Sequence, residues 1–279
     1  MRTQTKFSSR HMTVAITGAA GGLGKAFAVE CASRGWNLFL TDARGAALET
    51  LAGSLRSAYG VEVACLACDL SNPDERTRLF EQLKAGGLRF SMLINVAGVD
   101  FEGPFYERSD EQIRTIIRLN IEGTLAMTHG MLAFRDPLSA FRIINVASLA
   151  AFYPMPVKAT YAASKRFLLD FSLALREEIR SQNASVTVLC PAGMPTNEEC
   201  IRAIEAQGLA GLLTTLDVGR VANQTIDGAL AGRAVVIPGA FNRALQALGS
   251  LAPAGLVASL IGSRWLAVRH KREVEANPA

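Results

Sequence analysis

MTVAITGAAGGLG, Met12–Gly24, sets a glycine-rich turn directly behind a short apolar, partly β-branched run. Glycine costs conformational entropy in regular structure, so such a cluster suggests a backbone that turns sharply, packs closely, or admits another molecule where a β-carbon would block it. Standing alone it would read equally well as a flexible surface loop. Between a strand and a helix it reads as a phosphate-binding turn, whose backbone N–H groups and helix dipole face a pyrophosphate. The flanking sequence decides between the two.

Strand-like runs recur along the chain: MTVAIT (12–17), NLFLT (37–41), VEVACLA (61–67), FSMLINVAG (90–98), FRIINVAS (141–148), SVTVLC (185–190) and AVVIP (234–238). Between them lie stretches of helical periodicity, among them GGLGKAFAVECASRG, ARGAALETLAGSLRSA, SDEQIRTIIRLNIEGTLAMTHGML and ATYAASKRFLLDFSLALREEIRS. Near-continuous apolar strands alternating with helices imply a parallel sheet covered on both faces. Right-handed crossovers then make a single-domain, doubly wound α/β fold of about seven strands, Rossmann-type, the economical topology. In that setting the turn follows the first strand and opens the first helix, as a dinucleotide site requires. Gly18 would allow the tight exit, Gly22 the approach of backbone to phosphate, and Gly24 close packing of helix on sheet, while Ala20 and Leu23 keep the turn small and apolar.

Asp42 ends the second strand, 24 residues after Gly18. A carboxylate there can accept hydrogen bonds from the ribose hydroxyls of the adenosine half and would repel a 2′-phosphate. Arg44, two residues on, could meet such a phosphate. The balance favours NAD and leaves NADP open.

Bulk composition narrows the function classes. Across 279 residues, 49% are hydrophobic and 19% charged, which fits a well-buried globular chain and not a disordered one. The net charge of +4 is small and scattered, so nothing favours nucleic acid. The five cysteines (Cys31, Cys65, Cys68, Cys190, Cys200) are an odd number, in keeping with a reducing, cytoplasmic setting. Cys65 and Cys68 form a CxxC, but residues three apart on a strand point to opposite faces, so no metal site is expected. Residues 1–11 lack the apolar segment of a secretory leader and read as an N-terminal extension, native or added.

Thr17–Gly24, TGAAGGLG, resembles the TGxxxGxG turn of the short-chain dehydrogenase/reductase family, and further landmarks follow in order. CDL (68–70) is similar to the end of that family's third strand, placing Asp69 and Leu70 near the adenine. NVAG (95–98) resembles NNAG, with Asn95, Ala97 and Gly98 kept and Val96 in place of the second asparagine. Asn120 matches the active-site helix asparagine, Ser148 the serine, and YAASK (161–165) the YxxxK motif, its tyrosine 13 residues after that serine. PAGMPT (191–196) resembles PGxVxT, so Pro191, Gly193 and Thr196 fall beside the cofactor; Ala192 replaces a glycine and leaves Gly193 to absorb any positive φ. The resemblance spans about residues 12–239. It implies hydride exchange between a nicotinamide and an alcohol or ketone, with Asn120 positioning a water, Lys165 holding the nicotinamide ribose, and a dimer or tetramer as the assembly.

The chemistry also follows from the residues. Tyr161 and Lys165, four apart, share a helix face. An ammonium beside a phenol favours the phenolate, so a group with an ordinary value near 10 can trade protons closer to neutrality. That suits a general acid/base, and Ser148 can donate a hydrogen bond to the same substrate oxygen as charge develops on it.

Substrate selection should come from beyond the carboxyl ends of the strands. Met194 and the following NEECIRAIEAQGLAGLLTTL read as a lid over about 194–216, and Leu149, Phe152, Tyr153, Met155 and Pro156 as apolar walls, for a small apolar alcohol or ketone. The tail, 241–279, has no charge over the 20 residues 244–263 and then turns basic. Burial against the substrate cleft or a second subunit is the leading reading. Weak peripheral contact with a membrane follows, and a spanning helix, with Pro253 and scattered glycines against it, comes last. Two rivals to the leading reading are an NADPH-dependent carbonyl reductase and a non-catalytic dinucleotide-binding sensor or scaffold. The joint presence of Ser148, Tyr161 and Lys165 argues against the last.

Overall fold

The computed structural model describes residues 12–194 and 214–263. Seven strands, β1 (Thr13–Thr17), β2 (Asn37–Asp42), β3 (Val63–Ala67), β4 (Met92–Asn95), β5 (Phe141–Val146), β6 (Ala184–Leu189) and β7 (Val235–Val236), form one sheet in the order 3-2-1-4-5-6-7. Every pairing is parallel, and the register of β1 against β4 aligns Thr17 with Asn95. All seven strand segments expected from the sequence are present. The chain reverses winding direction between β1 and β4, the crevice where open α/β sheets bind ligands.

Alternation along the central strands covers both faces. Val14 and Ile16 of β1, with Leu38 and Leu40 of β2, point into one core with Phe27 of α1 (Gly22–Ser33), Leu48 of α2 (Gly45–Tyr59) and Ile226 of α7 (Val218–Leu230). Ala15 and Phe39 point into the other, with Leu79 and Leu83 of α3 (Pro73–Ala85) and Met127 of α5 (Thr124–Met131). Side chains of period two that are apolar on both sides are what a doubly covered sheet demands. Cys65 lies against the first core and Cys68 in the second, so the CxxC is divided by the sheet, and burial pushes both thiols up to about 11.

Helix starts follow local capping chemistry. Asn72 accepts from the amides of Asp74 and Glu75 ahead of α3, with Pro73 at its first position. Ser109 and Gln112 form a reciprocal capping box for α4 (Asp110–Ile116). Asp217 accepts from the Arg220 amide at the head of α7. The periodic segment 110–131 is not one regular helix: residues Ile117–Gly123 widen into π-helix between α4 and α5, and Asn120 sits inside that stretch. The longest helix, α6 (Ala159–Glu178), carries Tyr161 and Lys165 in its first turns. After β7 come α8 (Ala240–Leu251) and a further helical stretch over 254–263.

Candidate active site

At the turn, Gly18 takes φ +63°, and a Cβ there would lie 2.7 Å from the Ala97 amide nitrogen. Both facts require glycine. A Cβ on Gly24 would run into the Gly18 carbonyl, so helix α1 starts against the turn itself. Thr17 Oγ1 accepts from the amides of Val96 (3.1 Å) and Ala97 (3.3 Å), tying this turn to the NVAG turn of the neighbouring strand. Unlike α3, α4 and α7, which have side-chain caps, α1 begins at Gly21 with none, and no acidic residue lies in its first turn. Its free N–H groups and dipole are therefore left for an external anion, which fits a pyrophosphate.

The Asp42 carboxylate is built into the same corner. It accepts from the Ala20 amide (3.0 Å), the Arg44 amide (3.0 Å) and, in a forked pair, Arg44 Nε (2.9 Å) and Nη2 (3.1 Å). Burial pushes this carboxyl up, but the bonds from Arg44 outweigh burial and hold it below the usual range. Asp69 makes a local turn, accepting from the amide and hydroxyl of Ser71 (2.9 and 2.8 Å), while Leu70 is buried against Gly123 of the π-helical stretch.

The residues expected to handle protons come from three places: the π-helical stretch (Asn120), the loop after β5 (Ser148) and α6 (Tyr161 and Lys165). Asn120, 0% exposed, is clamped by the backbone of Val99: its Oδ1 accepts from the Val99 amide (2.8 Å), and its Nδ2 donates to the Val99 carbonyl (3.0 Å) and to Ser164 Oγ (3.2 Å). Lys165, 4% exposed, donates to the Val146 carbonyl at the end of β5 (2.9 Å). Burial pulls its ammonium down to about 8, against the opposing pull of Asp100 and Cys190. A Cβ on Gly98 would sit 3.1 Å from Asn120 Oδ1 and 3.3 Å from Lys165 Nζ, so the glycine of the NVAG turn leaves room beside both groups. The Lys165 ammonium lies 5.6 Å from the centroid of the Tyr161 ring. Ser148 follows β5 in extended conformation, and its Oγ accepts from the Ala150 amide (3.1 Å), which leaves its hydroxyl proton to be donated elsewhere.

Several expectations change in detail. The Asn95 side chain donates to Thr128 Oγ1 (3.0 Å) and Asn145 Oδ1 (2.9 Å), bracing β4 against α5 and β5, and its Oδ1 is buried without a hydrogen-bond partner among the described residues. Neither Ala192 nor Gly193 takes a positive φ, so alanine is accommodated there without help from its neighbour; the Pro191 carbonyl accepts from the Leu149 amide (2.7 Å). Of the substrate walls, Phe152 packs on the small core beneath α6 and Met194 on the first core. Tyr153 turns to the tail, where its hydroxyl donates to the Leu245 carbonyl (2.7 Å) and its ring lies against Gly249. Pro156 in turn meets Gly262, so α8 and the 254–263 helix lie on the loop between Ser148 and Tyr161. The tail touches this loop but is not buried on it: Phe241, Leu245, Leu248, Leu256 and Leu260 are all exposed. Met155 is half-buried in the same loop. Thr196 and most of the expected lid lie outside the described residues. Among the described residues no helix is long and apolar enough to cross a membrane.

A wall the sequence reasoning missed borders Tyr161: Phe101, Phe105, Arg108, Ile113, Val157 and Lys158 line a small pocket with it. No motif marks these positions. They meet only because the segment after β4 folds across the head of α6.

Residues 12–200 match the short chain dehydrogenase family. The chain belongs to that family. It is 32% identical over 173 residues to a very-long-chain 3-oxoacyl-CoA reductase of Laccaria bicolor, covering 61% of this chain and 51% of that one. The chain thus spans about half the length of that curated relative. Among solved structures, a short chain dehydrogenase/reductase from Burkholderia phymatum in complex with NAD superposes with TM-score 0.74 at 26% identity, covering 88% of this chain and 94% of that one. A short-chain dehydrogenase from Sphingobium yanoikuyae in complex with NADPH superposes with TM-score 0.71 at 28% identity, covering 87% and 96%. Structural neighbours therefore hold either nicotinamide dinucleotide.

Proposed function

We propose that this protein is a nicotinamide-dependent oxidoreductase that interconverts an apolar ketone and its alcohol, with Tyr161 as general acid/base. The observation that carries this reading is a buried Lys165 ammonium set against the Tyr161 ring and beside the space left by Gly98, in a fold whose first helix opens on an uncapped glycine turn. When bound, the dinucleotide supplies the two-electron hydride chemistry. The first turn of α1 would hold its pyrophosphate, Asp42 the adenosine ribose, and Lys165 the nicotinamide ribose.

In the direction of reduction, Tyr161 gives its phenolic proton to the carbonyl oxygen as that oxygen gains charge, and Ser148 steadies the same oxygen with a hydrogen bond. Asn120, rigid between Val99 and Ser164, orders the polar side of Lys165 through which the proton is replaced. Oxidation runs the same proton back onto Tyr161. NAD is favoured over NADP, because the Arg44 guanidinium is already forked onto Asp42 and would have to leave that carboxylate to meet a 2′-phosphate. Phe101, Phe105, Ile113 and Val157 beside Tyr161, together with the likeness to a 3-oxoacyl-CoA reductase, support a ketone carried on a long acyl chain.

The test is Tyr161→Phe assayed on long-chain 3-oxoacyl thioesters and on the corresponding alcohols. Loss of about 10²–10⁴-fold in kcat/KM with unchanged folding supports the reading. Retention of most of the activity defeats it.

A further inference from the structure

The Tyr161 ring has two ammonium groups beside it, not one. Lys165 Nζ lies 5.6 Å from the ring centroid and Lys158 Nζ lies 5.8 Å from it. Lys158 belongs to none of the motifs described above. It immediately precedes α6 and turns inward, where Asp100 Oδ2 (2.5 Å) and Glu102 Oε2 (3.0 Å) hold it.

The local backbone is arranged to keep it there. Val157 adopts φ +60°, a left-handed conformation that is costly for a β-branched residue. The Val157 carbonyl accepts from the Gly103 amide (2.8 Å), fastening the segment that carries both carboxylates to the head of α6. At its other end this segment is fastened by Asn120 through Val99. Asp100 Oδ1 is buried with no hydrogen-bond partner among the described residues, and the same carboxylate acts on Lys165 as well as on Lys158. Asp100 therefore touches one lysine and influences the other.

We propose that Lys158, held by Asp100 and Glu102, is a positioning residue that, together with the motif lysine, sets the proton affinity of Tyr161. With both carboxylates ionised the three groups carry a net charge of −1. Removing the lysine charge leaves −2 beside the phenol and disfavours the phenolate; removing both carboxylate charges leaves +1 and favours it. The two lysines differ in how long they stay charged. Burial alone would lower Lys158, but Asp100 and Glu102 raise it above its ordinary range, whereas Lys165 titrates at about 8. The phenol thus keeps a cation beside it at alkaline pH after Lys165 has begun to lose its proton. Among the described residues, the other charged or titratable groups around this point are Arg108, from the segment before α4, and Cys190, just after β6, whose thiol burial pushes up to about 12.

The inference rests on Tyr161 as the acid/base, and the test separates the two. Tyrosinate absorbance is followed against pH in the full chain and in the same protein carrying Tyr161→Phe, so that the difference reports Tyr161 alone without cofactor or turnover. A unit charge about 6 Å from the ring is worth about two pH units at an effective dielectric of about 20. Lys158→Gln should raise the Tyr161 midpoint by about two units and shift the acid limb of alcohol oxidation equally, Lys158→Arg should restore it, and Asp100→Asn with Glu102→Gln should lower it. An unchanged midpoint in Lys158→Gln, or a shift of the same sign in the carboxylate variant, overturns the proposal. If Lys158→Gln does not fold, the carboxylate variant decides by itself: a lowered midpoint supports the inference, and an unchanged or raised one refutes it. Activity retained by Tyr161→Phe would defeat the acid/base reading while leaving this titration intact.

Discussion

The glycine turn between β1 and α1 and the cluster around Tyr161 are built by opposite means. At the turn the working groups are backbone amides, and the side chains matter by being absent: Gly18 and Gly24 are needed because a Cβ would strike neighbouring backbone. Around Tyr161 the working groups are side chains, and two of them, Lys165 and Asn120, are buried polar groups that the fold must hold against their preference for water. The turn follows from local sterics. The cluster depends on long-range partners, Asn120 on Val99, Lys165 on the Val146 carbonyl and Lys158 on Asp100. A region defined by space should fail when space is filled, and one defined by buried charge should become more stable when that charge is removed.

Three substitutions probe this contrast, in order of expected effect. Gly18→Val combines a forbidden φ with a backbone collision and should destabilise the protein by about 3 kcal/mol or more while abolishing dinucleotide binding. Denaturant unfolding measures it, and a loss below about 1 kcal/mol would mean that the turn is softer than its geometry implies.

Lys165→Met should do the reverse. The folded-state value of Lys165 is about 8, below the ordinary 10.5, so the folded chain binds this proton less tightly than the unfolded one. The penalty is complete below about pH 8 and fades as pH climbs towards the ordinary value. At pH 7 the variant should therefore gain about 1–2 kcal/mol, after losing the bond to Val146, and the gain should shrink by pH 10, although activity is lost. Equal destabilisation at both pH values would contradict the assignment of burial as the cause.

Asp42→Ala tests the one place where the turn does use a charged side chain. It frees Arg44 and should narrow the preference for NADH over NADPH by about tenfold in titration calorimetry, or about 1.4 kcal/mol. Tighter binding of NADPH by the unaltered protein would show that Arg44, not Asp42, selects the cofactor.

The sequence carried the turn, the seven strands and the serine–tyrosine–lysine spacing because each depends on neighbours close along the chain or on a periodic pattern that sheet and helix impose. Even there it stopped at local shape. The segment 110–131 has the periodicity of a single helix, and nothing in it announces the π-helical stretch that holds Asn120. Tyr153 has the apolar body of a substrate wall, yet its hydroxyl finds the Leu245 carbonyl, 92 residues away.

What the amino-acid sequence determined by itself was the doubly wound α/β framework and the spacing of the motif residues, since burial patterns and glycine sterics act within a turn or a strand. What the tertiary structure alone decided was the company those residues keep: the fork of Arg44 on Asp42, the bracing role of Asn95, and the second lysine beside Tyr161. Proton affinity and charge selection depend on distances of a few ångströms between groups far apart in the chain, and only the packed fold fixes those distances.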